Sequence, residues 1–157
     1  MSMHMIAAMT NDKVIGANGK IPWSIPEEIK LFKELTTGNT VIMGKNTWLS
    51  LPERFRPLPN RINIIVSATM GQQQGAIICR TVNEAIEKAG NDHEIYCIGG
   101  AQAYAAMLPL TDTLHISWIK KHYAGDTYFP EIDFNGWEIT ESKEFEEFVY
   151  KKYSRIR

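Results

Sequence analysis

Short apolar runs alternate with amphipathic helical stretches along most of the chain, and this alternation constrains the fold more than any other feature. The runs at residues 5–9 (MIAAM), 40–43 (TVIM), 62–67 (INIIVS), 76–79 (AIIC), 94–98 (EIYCI) and 113–119 (TLHISWI) read as buried strands. Helical patterns lie between them: residues 26–37, 45–51, 81–89 and 101–108. Ser24 is a candidate cap, Pro26 suits a first turn and Gly38 a stop, while Thr81 and Glu84 form a capping box. Strands alternating with helices imply an α/β fold on a mostly parallel sheet. The tail, residues 136–157, alternates in FVYKKYSRI and reads as antiparallel strands. Residues 11–24 are too irregular for a helix and too apolar for a solvated linker, which suits a lid or binding loop.

At 157 residues the chain is the size of one domain able to bury its own core. A net charge of −1 gives no field that would draw it to nucleic acid or anionic lipid. No apolar run approaches the roughly 20 residues of a membrane span. The start, MSMHMIAAMTND, lacks a signal-peptide pattern, so a cytoplasmic location is expected; Met1 to Met3 are consistent with an alternative start. Cys79 and Cys97 stand in separate strand-like runs and read as buried reduced thiols.

Four constellations bear on chemistry. The first is Glu28. At about 100° per residue, Leu35 falls about 20° to one side of it and Leu31 about 60°, with Phe32 about 40° to the other. Glu28 thus sits within the apolar stripe, whereas Glu27 falls on the polar side with Lys30 and Glu34. A carboxylate on a buried face needs a partner or a ligand. Geometry leaves open a structural salt bridge or a dipole-favoured helix-start acid. The second is a pair of strand–glycine–helix junctions, TVIMG-KNTWLSL and EIYCIGG-AQAYAAML. Each leaves backbone N–H groups free at a helix start, and two together suit a dinucleotide diphosphate, although the G-x-G-x-x-G fingerprint is absent. The third is Lys45 and Arg80, which suit a 2′-phosphate and hence NADPH, with ordinary surface cations as the alternative. The fourth is Ile21, Trp23, Phe32 and Leu51, an apolar set suited either to core packing or to boxing a flat heteroaromatic ligand.

In order and spacing, IAAMTNDKVIGANGKIPW, PEEIKLFKELT, VIMGKNTWLSLP, RPLPNRINIIVS, YCIGGAQAYAAMLP, HISWI and AGDTYFPEI resemble the dihydrofolate reductase family from about residue 5 to residue 132, more weakly through the tail. The resemblance implies a single domain over residues 1–157. It also implies an eight-stranded, mostly parallel sheet with four flanking helices and a C-terminal antiparallel strand. It implies hydride transfer from NADPH to 7,8-dihydrofolate, inhibition by antifolates and a role in one-carbon metabolism; a monomer is the default expectation. Carried over, Glu28 holds the pterin and assists protonation of its imine nitrogen through a water that Trp23 helps to hold. Ser117 supports that carboxylate; Ile6, Ala7, Phe32, Leu51 and Ile98 wall the pterin; Arg61 pairs with the glutamate tail. On the cofactor side, Ala8, Ile15, Gly16, Ile21, Ile98 and Tyr104 lie toward the nicotinamide. Gly44, Lys45, Asn46, Thr47, Gly99, Gly100, Ala101, Gln102 and Ala103 hold the diphosphate, and Ser67 and Arg80 the 2′-phosphate. Residues 16–23 form a mobile lid held by the loop of Asp126, and the Gly99–Gly100 peptide is cis.

The chain departs from the commoner pattern in four places. Glu28 stands where many bacterial members have Asp, the glycine junction reads GGA rather than GGG, Ala68 replaces a frequent polar contact, and the loop at 52–56 is longer. The competing readings are a related reductase acting on a pyrimidine of riboflavin synthesis, and a non-catalytic nucleotide- or pterin-binding module.

Overall fold

A computed structural model of the chain describes residues 2–157, so Met1 and its place in an alternative start lie outside it. The elements in chain order are β1 (Met3–Thr10), β2 (Val14–Gly16), α1 (Pro26–Thr36), β3 (Thr40–Gly44) and α2 (Lys45–Ser50). Then come β4 (Ile62–Val66), β5 (Ala76–Cys79), α3 (Val82–Ala89), β6 (Ile95–Cys97) and α4 (Ala101–Met107). The chain ends with β7 (Thr113–Ile119), β8 (Thr127–Tyr128), β9 (Trp137–Glu144) and β10 (Phe148–Arg155).

Eight strands form one sheet in the order β5-β4-β3-β6-β1-β7-β10-β9. Every pairing from β5 through β7 is parallel; β10 runs antiparallel to both β7 and β9. The expected α/β class, the parallel core and the antiparallel tail are therefore present. The alternation of side chains along each strand divides the core. Met5, Ala7 and Met9 of β1 join Ile42, Ile64, Leu114 and Ile116 under α3 and α4. Ile6, with Val41, Met43, Ile65 and Tyr96, faces the other way, toward Phe32 and Leu35 of α1 and Trp48 of α2. Cys79 and Cys97 are free and buried, as expected. Among the described residues no helix is long and apolar enough to cross a membrane.

Two local expectations are corrected. Ser24 does not cap α1: the N-cap is Ile25, which makes no side-chain cap. Pro26 has no N–H to satisfy and its fixed φ fits the first helical position, so the cap falls on the residue just before it. Thr81 does accept from Glu84 N at 3.1 Å, but the Glu84 carboxylate turns to Arg80 N at 3.1 Å rather than to the N-cap. The irregular stretch 11–24 also contains β2, which pairs with β8 in a second, two-stranded sheet. Three residues are too few for an alternating pattern to be legible.

The crossover from β1 through α1 does not return beside β1. It reaches β3, and β6 later fills the gap between them. Such a gap at the carboxyl ends of parallel strands is where open α/β sheets bind ligands.

Candidate active site

A cleft of about 840 Å³ opens at that position, and its walls gather most of the residues singled out above. The contribution of α1 follows its periodicity. Glu28, Leu31, Phe32 and Leu35 line the cleft and are half-buried, while Glu27, Lys30 and Glu34 are exposed. Among the described residues no lysine, arginine or histidine forms an ion pair with Glu28. Its apolar surroundings therefore act unopposed, and desolvation raises the carboxyl from 4.5 to about 7. A structural salt bridge does not account for this acid.

Opposite α1, Ile6, Ala7 and Ala8 of β1 and Ser117 of β7 form the cleft floor. Ala8 pairs in register with Ser117, and Ser117 with Tyr150, so these three lie side by side across the strands. The Tyr104 hydroxyl donates to the carbonyl oxygens of Ile6 at 2.8 Å and Ile98 at 3.2 Å, tying the ends of β1 and β6 together. Its ring packs so closely on Gly99 that a Cβ there would lie 3.0 Å from it, and Gly99 has φ +107°, a conformation that side chains rarely adopt.

The two glycine junctions meet. Gly44 N donates to Gly99 O at 2.8 Å, because β3 and β6 are sheet neighbours. Gly44 and Gly100 are the N-caps of α2 and α4 without side-chain caps, so neither helix start has its backbone donors covered by a side chain. A Cβ on Gly100 would come within 3.6 Å of Thr47 Oγ1, so the absence of side chains keeps this corner open. Gly44, Lys45, Asn46, Thr47, Gly100, Ala101, Gln102 and Ala103 line the same stretch of cleft, with Lys45 exposed. A converging set of backbone N–H groups, hydroxyl, amide and ammonium fits a diphosphate. The Gly99–Gly100 peptide is cis, as is Arg56–Pro57.

Further along, Ser67 and Ala68 line the cleft. Arg80 is not in its wall; Nη1 donates to the carbonyls of Ser67 at 2.8 Å and Met70 at 2.7 Å, bracing the turn that presents Ser67. Ile15, Gly16 and Ile21 line the opposite rim, with Ile21 64% exposed at the mouth. The segment beyond Gly16 folds as a tight turn in which Ala17 and Lys20 exchange backbone hydrogen bonds at 2.8 and 3.0 Å, with positive φ at Asn18 and Gly19. Asp126 grips it from both sides: its carboxylate accepts from Asn18 N at 3.1 Å, and its own N–H donates to Gly16 O at 3.0 Å.

Besides Arg80 and Gly99, three more expected residues stand outside the cleft wall. Trp23 is buried with Ile25, Ile119, Phe148 and Tyr150, its ring 5.5 Å from Tyr123. Leu51 packs with Phe32 against the cluster of Trp48 and Leu58. Arg61 donates Nε to Pro59 O at 2.9 Å and Nη1 to Thr36 Oγ1 at 3.0 Å, with its guanidinium carbon 6.0 Å from the Phe32 ring centroid. Conversely, His115 and Tyr150 line the cleft and escaped the sequence reading. The signal was present for His115, which precedes Ser117 by two on one strand and so shares its face.

The geometry agrees with what the chain is similar to. A sequence model described as dihydrofolate reductase matches residues 2–155. The dihydrofolate reductase of Bacillus subtilis is 35% identical over 140 residues, 88% of this chain and 82% of that protein. That of Buchnera aphidicola (subsp. Acyrthosiphon pisum) is 40% identical over 131 residues, 83% of this chain and 80% of the relative. Among solved structures, dihydrofolate reductase from Enterococcus faecalis complexed with NADP(H) and RAB-propyl superposes with a TM-score of 0.87 at 31% identity, covering 98% of this chain and 96% of that one. With the glycine-built corner and the half-buried acid of α1 lining one cleft, these matches place the chain in the dihydrofolate reductase family.

Proposed function

We propose that residues 1–157 act as one catalytic domain that reduces 7,8-dihydrofolate to 5,6,7,8-tetrahydrofolate with NADPH, for one-carbon metabolism and thymidylate synthesis. The observation that carries the mechanism is Glu28, an unpaired carboxyl in an apolar cleft wall, raised to about 7. A pterin offers an amino group and a ring nitrogen side by side, which a carboxylate can accept together. Held near neutrality, the same group can pass a proton, through a water, to the imine nitrogen of the substrate. Protonation there makes the adjacent carbon a better hydride acceptor, and the cofactor, when bound, supplies that hydride.

Each wall of the cleft has a task in this reading. Phe32, Ile6 and Ile98 press the pterin flat and exclude bulk water, which strengthens the charge interactions within. Ser117 supports the carboxylate, Trp23 at the end of the lid holds the water, and Arg61 takes a carboxylate of the substrate tail with its remaining nitrogen. The backbone donors after Gly44 and Gly100, together with Lys45, grip the diphosphate, and Ser67 braced by Arg80 meets the 2′-phosphate. Residues 16–23, fastened by Asp126, act as a lid. The protein works as a cytoplasmic monomer without nucleic-acid or membrane partners, and antifolates with a protonated ring pair with Glu28. The test is NADPH oxidation followed by absorbance with and without dihydrofolate. Turnover that depends on dihydrofolate and is blocked by a diaminopteridine is expected; its absence in folded protein would overturn the reading.

A further inference from the structure

A chain of hydrogen-bonded side chains crosses the sheet beneath the pterin half of the cleft. Glu94 Oε1 lies 2.9 Å from His4 Nε2, His4 Nδ1 lies 2.9 Å from His115 Nε2, and His115 Nδ1 lies 2.7 Å from the Tyr150 hydroxyl. Sheet register explains the alignment. His4 and Ile6 of β1 share a face with His115 and Ser117 of β7 and with Tyr150 and Lys152 of β10. His4 is further fixed by stacking on Tyr96, with ring centroids 4.4 Å apart. His4, His115 and Tyr150 are buried, whereas the Glu94 side chain is 40% exposed. The chain therefore runs from solvent to the cleft that Tyr150, Ser117 and Glu28 line.

Glu94 and the charge on His4 together fix the direction of every bond in this chain. An ionised carboxylate only accepts. Glu94 is held ionised below the usual range by the His4 hydrogen bond and by the Ser2 N–H at 3.2 Å. His4 Nε2 must then donate. With His4 neutral, its Nδ1 accepts from His115 Nε2–H, His115 Nδ1 accepts, and the Tyr150 hydroxyl donates to it. The Tyr150 oxygen is left with lone pairs alone for the cleft. With His4 protonated, every bond beyond it reverses. His4 Nδ1–H donates to His115 Nε2, His115 carries its proton on Nδ1 and donates to Tyr150, and the Tyr150 O–H is released toward the cleft. His115 stays neutral in both arrangements, since burial, His4 and Lys152 push it down to about 3. The titratable and charged groups around the relay are Tyr96 from β6 and Glu94 just before it, Lys152 from β10, Glu141 and Lys143 from β9, and Glu28 of α1 in the same cleft.

We propose that Glu94, His4, His115 and Tyr150 form a tautomer relay that sets the hydrogen-bond polarity of Tyr150 in the pterin pocket. Tyr150 is an acceptor when His4 is neutral and a donor when His4 is protonated. The acceptor state favours an amino-substituted nitrogen heterocycle, or a water bound to one; the donor state favours a carbonyl oxygen or the ionised Glu28. His4 and His115 are positioning residues, and Tyr150 sets specificity. This proposal rests on the reading of the cleft as a pterin site.

The test is nitrogen-resolved NMR of the imidazoles in the unaltered, ligand-free chain from about pH 5 to about pH 8.5, the range in which a histidine titrates. The His115 proton is expected on Nε2 wherever the His4 ring in the same spectra is neutral, and on Nδ1 wherever it carries both protons. A His115 proton that stays on one nitrogen, or a His115 that itself becomes an imidazolium, overturns the relay. A second readout is the affinity of a 2,4-diaminopyrimidine. Tyr150→Phe is expected to weaken it about fivefold at high pH, the worth of one neutral hydrogen bond, and to remove any change in affinity that accompanies the tautomer migration. An unchanged pH profile in Tyr150→Phe also overturns it. The two readings fail separately: tautomer migration without turnover sinks the reductase, and turnover with a fixed tautomer sinks only the relay.

Discussion

The two halves of the cleft are built by different means. The half proposed for the pterin depends on side chains: Glu28 on an apolar helix face, the floor of Ile6, Ala7 and Ser117, and the phenyl wall of Phe32. The half proposed for the cofactor depends on main chain, with two glycine junctions bonded to each other through Gly44 N and Gly99 O and two helix starts free of side-chain caps. Chemistry that moves a proton needs a tuned titratable group, whereas grip on a diphosphate needs only well-placed N–H donors and room. Substitutions in the first half should therefore change rate and its pH dependence, and those in the second should change cofactor affinity.

The largest effect that would separate the halves is Glu28→Gln. Loss of a general acid is expected to slow hydride transfer at pH 8 by about 10²–10⁴-fold, with much of the rate restored at low pH, where the substrate arrives protonated. Stopped-flow rates against pH check this; a loss of equal size at all pH values would break the contrast. Next is Gly99→Ala. With φ +107° and the Tyr104 ring 3.0 Å from the added Cβ, it should weaken NADPH binding by roughly 1–3 kcal/mol in fluorescence titration and leave the pH profile of turnover unmoved.

Stability offers a third test. Because the folded state raises Glu28 from 4.5 to about 7, it binds a proton that the unfolded chain has released. Stability therefore falls as pH rises through that window and stays reduced above it. Glu28→Gln should recover about 1–3 kcal/mol in urea unfolding at pH 8 and nothing below about pH 4. Lys45→Ala should raise the KM for NADPH about tenfold at low salt, less at high salt, where an exposed charge is screened. Smallest is Asp126→Asn, which weakens the hold on Asn18 and should change turnover about twofold to fivefold through lid closure, read as a change in product-release rate.

The same contrast explains how much the sequence revealed. The strand–helix alternation and the angular position of Glu28 are periodic signals, and both appear in the structure as expected: residues 28, 31, 32 and 35 are the half-buried face of α1. The glycine junctions were legible because each glycine sits where an apolar run turns polar. That the two junctions touch was not, since it depends on β6 entering between β3 and β1. Periodicity also has a minimum length, so β2 and β8 escaped notice. The Tyr150 contribution was hidden because it comes from register across β7 and β10, which no single segment encodes. Arg61 is legible through resemblance alone and Trp23 only as one member of an apolar set, and their places beside rather than in the wall follow from the tertiary contacts of Phe32 and Tyr123.

The position of β1 bears on how the protein is made. It leaves the ribosome before the other seven strands of its sheet, yet its neighbours β6 and β7 begin at Ile95 and Thr113. Through most of synthesis both its edges are open, and with them the cleft floor that it supplies. Long-range parallel pairing of this kind is slow to form and leaves strand edges exposed while it waits. The nascent chain would thus be most open to aggregation and to chaperone capture between the emergence of residue 10 and that of residue 119, and a synonymous change that slows translation within that stretch would lengthen the exposure without altering a single contact in the finished enzyme.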